Sequence, residues 1–77
     1  MTIYEQVNAI LKELKPTKDL SQVNDIIEGG YLDSFELMSL IAMLGERFEV
    51  EVDLDEIVPE NFNSIAAIAE MVARLKG

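Results

Sequence analysis

The chain has 77 residues, nearly half of them apolar, no cysteine or histidine, and a net charge of −9. This composition describes one small domain, residues 1–77, folding on its hydrophobic core alone, without disulfides, thiol nucleophiles, imidazole bases or the common zinc ligands. Residues 1–30 hold three lysines against five acids, and residues 31–77 three basic residues against ten acids. Such a surface repels phosphate, so nucleic acid is not an expected partner, and a basic protein would be steered toward it; charge alone fits equally well a surface that only keeps a small protein soluble. Apolar runs are only a few residues long, which argues against membrane insertion. No basic segment followed by an apolar run opens the chain, so the cytoplasm is the expected location.

Thr2-Ile3-Tyr4-Glu5 has the spacing of a capping box, with Thr2 as N-cap and Glu5 three residues on. Ile3, Val7, Ile10 and Leu14 then line one face, and Pro16 disfavours helical geometry at Lys15, which predicts a first helix over about residues 2–14. Residues 15–33 show apolar residues (Leu20, Val23, Ile26, Ile27, Leu32) on no sustained period. They read as a long loop, with one helical turn around Val23 to Ile27, pinned across the helices by those side chains and ending in a flexible Gly29-Gly30 pair.

A second helix is predicted from Asp33 or Ser34, with Leu37, Leu40, Ile41, Leu44 and Phe48 inward. Gly45 costs about 1 kcal/mol relative to alanine in such a helix, and the sequence supplies no firm reason for it. "FEVEVDLD", residues 48–55, alternates like a strand, but no second segment offers it a partner. It reads instead as an extended connector that tucks some of Val50, Val52 and Leu54 against the helices. Pro59-Glu60-Asn61-Phe62 suits a short helical turn with proline first. Asn63-Ser64 then caps a last helix to about Leu75, with Ile65, Ile68, Met71 or Val72, and Leu75 inward. The fold class is all-α: three main helices and one short helix, with a long loop between helices one and two.

Asp33-Ser34-Phe35-Glu36 is the candidate site. If Asp33 is the N-cap and Glu36 completes a capping box, Ser34 falls at the first helical position with a hydroxyl the cap does not need. A phosphate ester there would meet free N–H groups and the positive end of the helix dipole. The plainer reading is that serine is simply favoured at helix starts, as at Asn63-Ser64-Ile65, which repeats the layout. Local physics leaves both open. Other chemistries are weaker: Asp53 and Asp55 lack the glycine and glutamate that an EF-hand loop needs, and the exposed acids form no recognisable catalytic pair.

The stretch "GGYLDSFELMSLIAMLGERFEVEV" resembles the acyl carrier protein and peptidyl carrier protein superfamily, which carries Asp-Ser-Leu at the start of its second helix. "VPENFNSIAAIAEMV" is similar to that family's third and fourth helices, so the resemblance spans essentially the whole chain. It implies a non-enzymatic carrier. Ser34 would bear 4′-phosphopantetheine, delivered from coenzyme A by a Mg²⁺-dependent phosphopantetheinyl transferase, and Asp33 would be the neighbouring carboxylate used in that step. An acyl- or aminoacyl-loading ligase and downstream acyl-processing enzymes would be the further partners of a monomeric carrier. Phe35, Glu36, Met38 and Ala42 would contact them, although Phe35 and Met38 read equally well as core residues.

The chain departs from the family pattern in two places. Phe35 replaces the leucine, and the acids lie after the second helix (Glu49, Glu51, Asp53, Asp55, Glu56, Glu60) rather than along it. This argues against fatty-acid synthesis and toward a dedicated polyketide, peptide-synthetase or D-alanyl-type carrier. The reading from a different functional class is an unmodified helical module that acts only by binding a protein.

Overall fold

A computed structural model describes residues 2–77. Four α-helices follow in order: α1 (Ile3–Leu14), α2 (Ser34–Phe48), α3 (Pro59–Phe62) and α4 (Ile65–Lys76), with a 3₁₀ turn at Leu54–Glu56 before α3. No strand forms among the described residues, and none of their helices is long and apolar enough to cross a membrane.

Each helix start follows from its local chemistry. The Thr2 hydroxyl accepts the Glu5 N–H at 3.1 Å and the Glu5 carboxylate accepts the Thr2 N–H at 2.9 Å, closing the capping box of α1. The Glu5 carboxyl is held below its ordinary value first by that backbone hydrogen bond from Thr2 and then by the Thr2 hydroxyl. Pro59 takes the first position of α3, where its missing N–H costs nothing. Ser64 is the N-cap of α4, its Oγ accepting the Ala67 N–H at 3.0 Å.

α1 packs against both α2 and α4, and α3 leans on α4. The buried residues are all apolar: Val7, Ile10 and Leu11 of α1, Leu40, Leu44 and Phe48 of α2, and Phe62, Ile65, Ile68, Met71 and Val72 from the C-terminal third. Leu11, off the predicted stripe, is buried because α1 touches two helices at once and so hides a wider face. Both Met71 and Val72 point inward for the same reason in α4.

The long loop lies against the bundle, with Leu20, Ile26 and Leu32 in the core. The expected single helical turn lies two residues later than Val23–Ile27, where the Gly29 N–H donates to the Asp25 carbonyl four residues back; tighter turns flank it, closed by Val23 N–H to Leu20 O, Gly30 N–H to Ile27 O and Tyr31 N–H to Ile26 O. The glycine pair is not a slack hinge. Any Cβ at Gly29 would collide with the Asp25 backbone and carboxylate at 2.7 Å, and Gly30 has φ +76°.

Asn63 clamps the loop, a role its sequence position does not suggest. Its backbone carbonyl accepts the Ile26 N–H at 2.9 Å. Its side-chain oxygen accepts the N–H groups of Ile27 (3.1 Å) and Glu28 (3.2 Å), while Nδ2 donates to Glu28 Oε1 at 2.9 Å. Asn63 and Ser64 thus do not repeat the Asp33-Ser34 layout: Ser64 is itself the cap, and Asn63 faces the loop.

α2 ends on Glu49, whose left-handed backbone (φ 56°) turns the chain back across the helix. A Cβ on Gly45 would stand only 3.2 Å from the Val50 carbonyl oxygen, which explains the glycine: it lets the connector cross closely. Val50 and Val52 pack half-buried on the core, as expected of the connector. Leu54 does not, being 85% exposed. The chain leaves extended geometry at Asp53 and enters the 3₁₀ turn, so the alternation that would have carried Leu54 inward stops one residue short.

Asn63→Ala is predicted to lower stability by about 1–3 kcal/mol, since it strips the acceptor from the part-buried Ile27 amide as well as from the exposed Glu28 amide. Amide exchange at Ile27 and Glu28 should accelerate more than in α1 or α4; uniform acceleration would show that Asn63 does not hold the loop locally.

Candidate functional site: the serine at the start of the second helix

Asp33 is the N-cap of α2, in extended geometry, and its Oδ1 accepts the Glu36 N–H at 2.7 Å. Glu36 answers with Oε1 accepting the Asp33 N–H at 3.0 Å. The box is therefore closed by these two carboxylates, and Ser34 is left at the first helical position. Its side chain is exposed and its hydroxyl enters no hydrogen bond among the described residues. Ser64 shows the opposite condition, half-buried with its oxygen committed to a backbone N–H.

The turn is held from both sides. Buried Leu32 anchors the chain one residue before the cap. Behind it, Lys15 at the end of α1 reaches Glu36 Oε2 with Nζ at 2.9 Å. Glu36 thus closes the cap with one oxygen and ties α1 to α2 with the other. Its carboxyl is held below its ordinary value near 4.5, first by the Asp33 backbone hydrogen bond and then by that from Lys15. Glu36, expected among the partner contacts, has its carboxylate engaged within the fold by the Asp33 N–H and Lys15.

Phe35 and Met38 stand 80% and 60% exposed, and Ala42 is exposed one turn further on. The alternative in which they fill the core is excluded by that exposure. Side chains at positions 35, 38 and 42 share one face by helical spacing, so an apolar strip runs away from Ser34 along α2.

These features fit a phosphodiester on Ser34. The N–H groups of Ser34 and Phe35, at the first two helical positions, have no acceptor among the described residues and lie at the positive end of the dipole. Lys15 offsets one of the two carboxylate charges of the cap, that of Glu36. An open cleft lined by Glu13, Met43, Glu46 and Arg47 lies elsewhere on α1 and α2 and includes none of these residues. A covalent site on an exposed hydroxyl needs no pocket.

Comparison with known proteins agrees with this geometry. Residues 3–72 match the family described as the phosphopantetheine attachment site. The chain is 32% identical over 78 aligned positions to the D-alanyl carrier protein of Streptococcus sanguinis (strain SK36), covering 99% of this chain and 98% of that protein. It is 31% identical to the D-alanyl carrier protein of Streptococcus uberis (strain ATCC BAA-854 / 0140J) over the same share of each. The chain therefore belongs to the phosphopantetheine-attachment family of carrier proteins, which bind 4′-phosphopantetheine covalently and are not enzymes.

Because the folded Glu36 carboxyl is more acidic than the free side chain, the stability it contributes is fully present above about pH 4.5 and is lost as pH falls through its folded value. Glu36→Gln should therefore melt below the parent at neutral pH, with the gap closing as the solution is acidified below pH 4.5. A gap that stays constant down to strongly acidic pH would contradict the assignment of Glu36 as an ionised cap and ion-pair partner.

Proposed function

We propose that this protein is an aminoacyl carrier. It would hold D-alanine as a thioester on a 4′-phosphopantetheine arm attached to Ser34, and present it to successive partner enzymes. The observation that carries this reading is the division of labour in the first turn of α2: Asp33 satisfies the helix end, so Ser34 keeps an exposed hydroxyl.

The chemistry asked of the chain is small. Ser34 Oγ forms a phosphoester as the pyrophosphate bond of coenzyme A breaks and adenosine 3′,5′-bisphosphate leaves, the hydroxyl proton passing to a base of the transferase, since the carrier has no histidine. Asp33 uses Oδ1 for the cap, leaving Oδ2 available to the transferase and its Mg²⁺. The free N–H groups of Ser34 and Phe35 then stabilise the phosphodiester charge. The thiol at the end of the arm supplies the acyl chemistry that a chain without cysteine lacks. Phe35, Met38 and Ala42 offer an apolar landing strip beside the attachment point, with the flexible methionine able to suit more than one enzyme.

Two observations support an aminoacyl rather than a fatty-acyl cargo. Relatives spanning nearly the whole chain are D-alanyl carrier proteins. The exposed face of α2 also has few acids of its own: Glu36 is neutralised by Lys15, and Arg47 pairs with Glu13 at 3.3 Å. On this reading the protein works as a monomer in the cytoplasm, where coenzyme A is available, with a phosphopantetheinyl transferase and an ATP-dependent D-alanine-loading ligase as its first two partners.

Incubation with coenzyme A, Mg²⁺ and a promiscuous phosphopantetheinyl transferase should raise the intact mass by one phosphopantetheinyl unit, and Ser34→Ala should abolish the gain. The modified protein should then accept D-alanine from a D-alanyl ligase and resist charging with a long fatty acid by an acyl-carrier synthetase. No mass gain would reduce the chain to an unmodified interaction module, and preferential fatty-acid charging would overturn the cargo.

A further inference from the structure

Leu54 is the most exposed of the large apolar side chains among the described residues, at 85%. It belongs neither to the core nor to the strip beside Ser34, and its surroundings are ordered. Val50 and Val52 anchor the connector on the core just before it. The 3₁₀ turn is closed by Glu56 N–H to Asp53 O at 2.9 Å and Ile57 N–H to Leu54 O at 3.1 Å. Glu56 is in turn fixed by Arg74 of α4 at 3.1 Å and by the Asn61 side chain. A leucine displayed on a braced turn loses little freedom on binding, which is the condition for an anchor residue.

Its neighbours decide what it can bind. Glu51, Asp53 and Asp55 are exposed and enter no ion pair among the described residues. Asp53 heads the turn, yet its carboxylate makes no capping hydrogen bond. Leu54 therefore projects from a ring of unneutralised carboxylates. That ring repels nucleic acid and anionic lipid, and it repels a second copy of this chain, which would bring the same charges. The complementary surface is an apolar pocket rimmed by lysine or arginine on another protein.

The turn is braced at the opposite end of α4 from the loop that leads to the serine. The loop leading to Asp33 is clamped at Asn63, just before α4, whereas Glu56 pairs with Arg74 near the far end of that helix. Ten residues of helix separate Ser64 from Arg74, roughly 15 Å at about 1.5 Å per residue. An enzyme working on Ser34 itself can grip the serine turn directly. An enzyme working on a thiol at the end of a long arm can rest on the strip beside the serine, but it gains a firmer hold from a second contact on the body of the domain.

We propose that Leu54, with its ring of Glu51, Asp53 and Asp55, is the anchor by which the cargo-loading ligase grips the body of the carrier, inserting Leu54 into a pocket rimmed by basic side chains. The assignment of the ligase rests on the carrier reading above; the surface itself does not. Contact so far from the reacting atoms is felt equally in ground and transition states, so it governs affinity rather than turnover.

The test is calorimetric titration of the unmodified chain with a purified D-alanyl ligase. Leu54→Ser should weaken binding about tenfold or more without moving the melting temperature, because the side chain is not in the core. The triple change Glu51→Gln, Asp53→Asn and Asp55→Asn should weaken it further and flatten its salt dependence. With modified carrier, Leu54→Ser should raise KM for loading and leave kcat unchanged. Binding and KM equal to those of the parent would overturn the proposal, as would a concentration-dependent dimer of the parent that Leu54→Ser dissolves. Ser34→Ala, which should bind the ligase normally yet never be loaded, keeps a failure of the serine assignment separate from a failure of the Leu54 anchor.

Discussion

The start of α2 poses one question on which the rest depends: which side chain satisfies the open N–H groups of the first turn. Asp33 does, through a 2.7 Å bond to the Glu36 N–H. Had Ser34 taken that place, its oxygen would be spent on the backbone as Ser64's is, and no free hydroxyl would stand at the helix end. A one-residue difference in cap register separates a serine spent on the backbone from one whose hydroxyl stays free.

The fold defends that register with interactions of short reach but distant origin. Glu36 is held from α1 by Lys15, and Leu32 is fixed in the core immediately before the cap. Further back the loop is clamped through Ile26, Ile27 and Glu28 onto Asn63. The described core contains no polar side chain, so these surface and loop bonds, not buried networks, set where the serine turn points. A domain with no catalytic residues of its own needs little more: a stable body, one reachable oxygen, and surfaces that enzymes can recognise.

What could be read from the sequence was what is local. The two capping boxes, the proline at the start of α3 and the serine cap of α4 involve residues at most three positions apart, and each forms as its spacing suggests. The family resemblance added what spacing could not, the covalent group. Contacts between residues far apart in the chain were illegible: Lys15 with Glu36, 21 positions away, and Asn63 with Ile27, 36 positions away. The engagement of Glu36 was hidden because nothing near it in sequence announces Lys15. Which of Val50, Val52 and Leu54 turn inward stayed open because period-2 alternation cannot show where an extended segment stops. Gly45 had no explanation until Val50 was seen crossing over it. In each case the deciding neighbour comes from tertiary packing or from a turn the pattern does not encode.

The central claim is that cap register, rather than the mere presence of a hydroxyl, selects the modified residue among the serines at positions 21, 34, 39 and 64. Tandem mass spectrometry of peptides from the phosphopantetheinylated protein tests it most directly. The account predicts the entire added mass on Ser34, with Ser64 untouched although it too stands at a helix start. Modification found on Ser64, or spread over several serines, would contradict it.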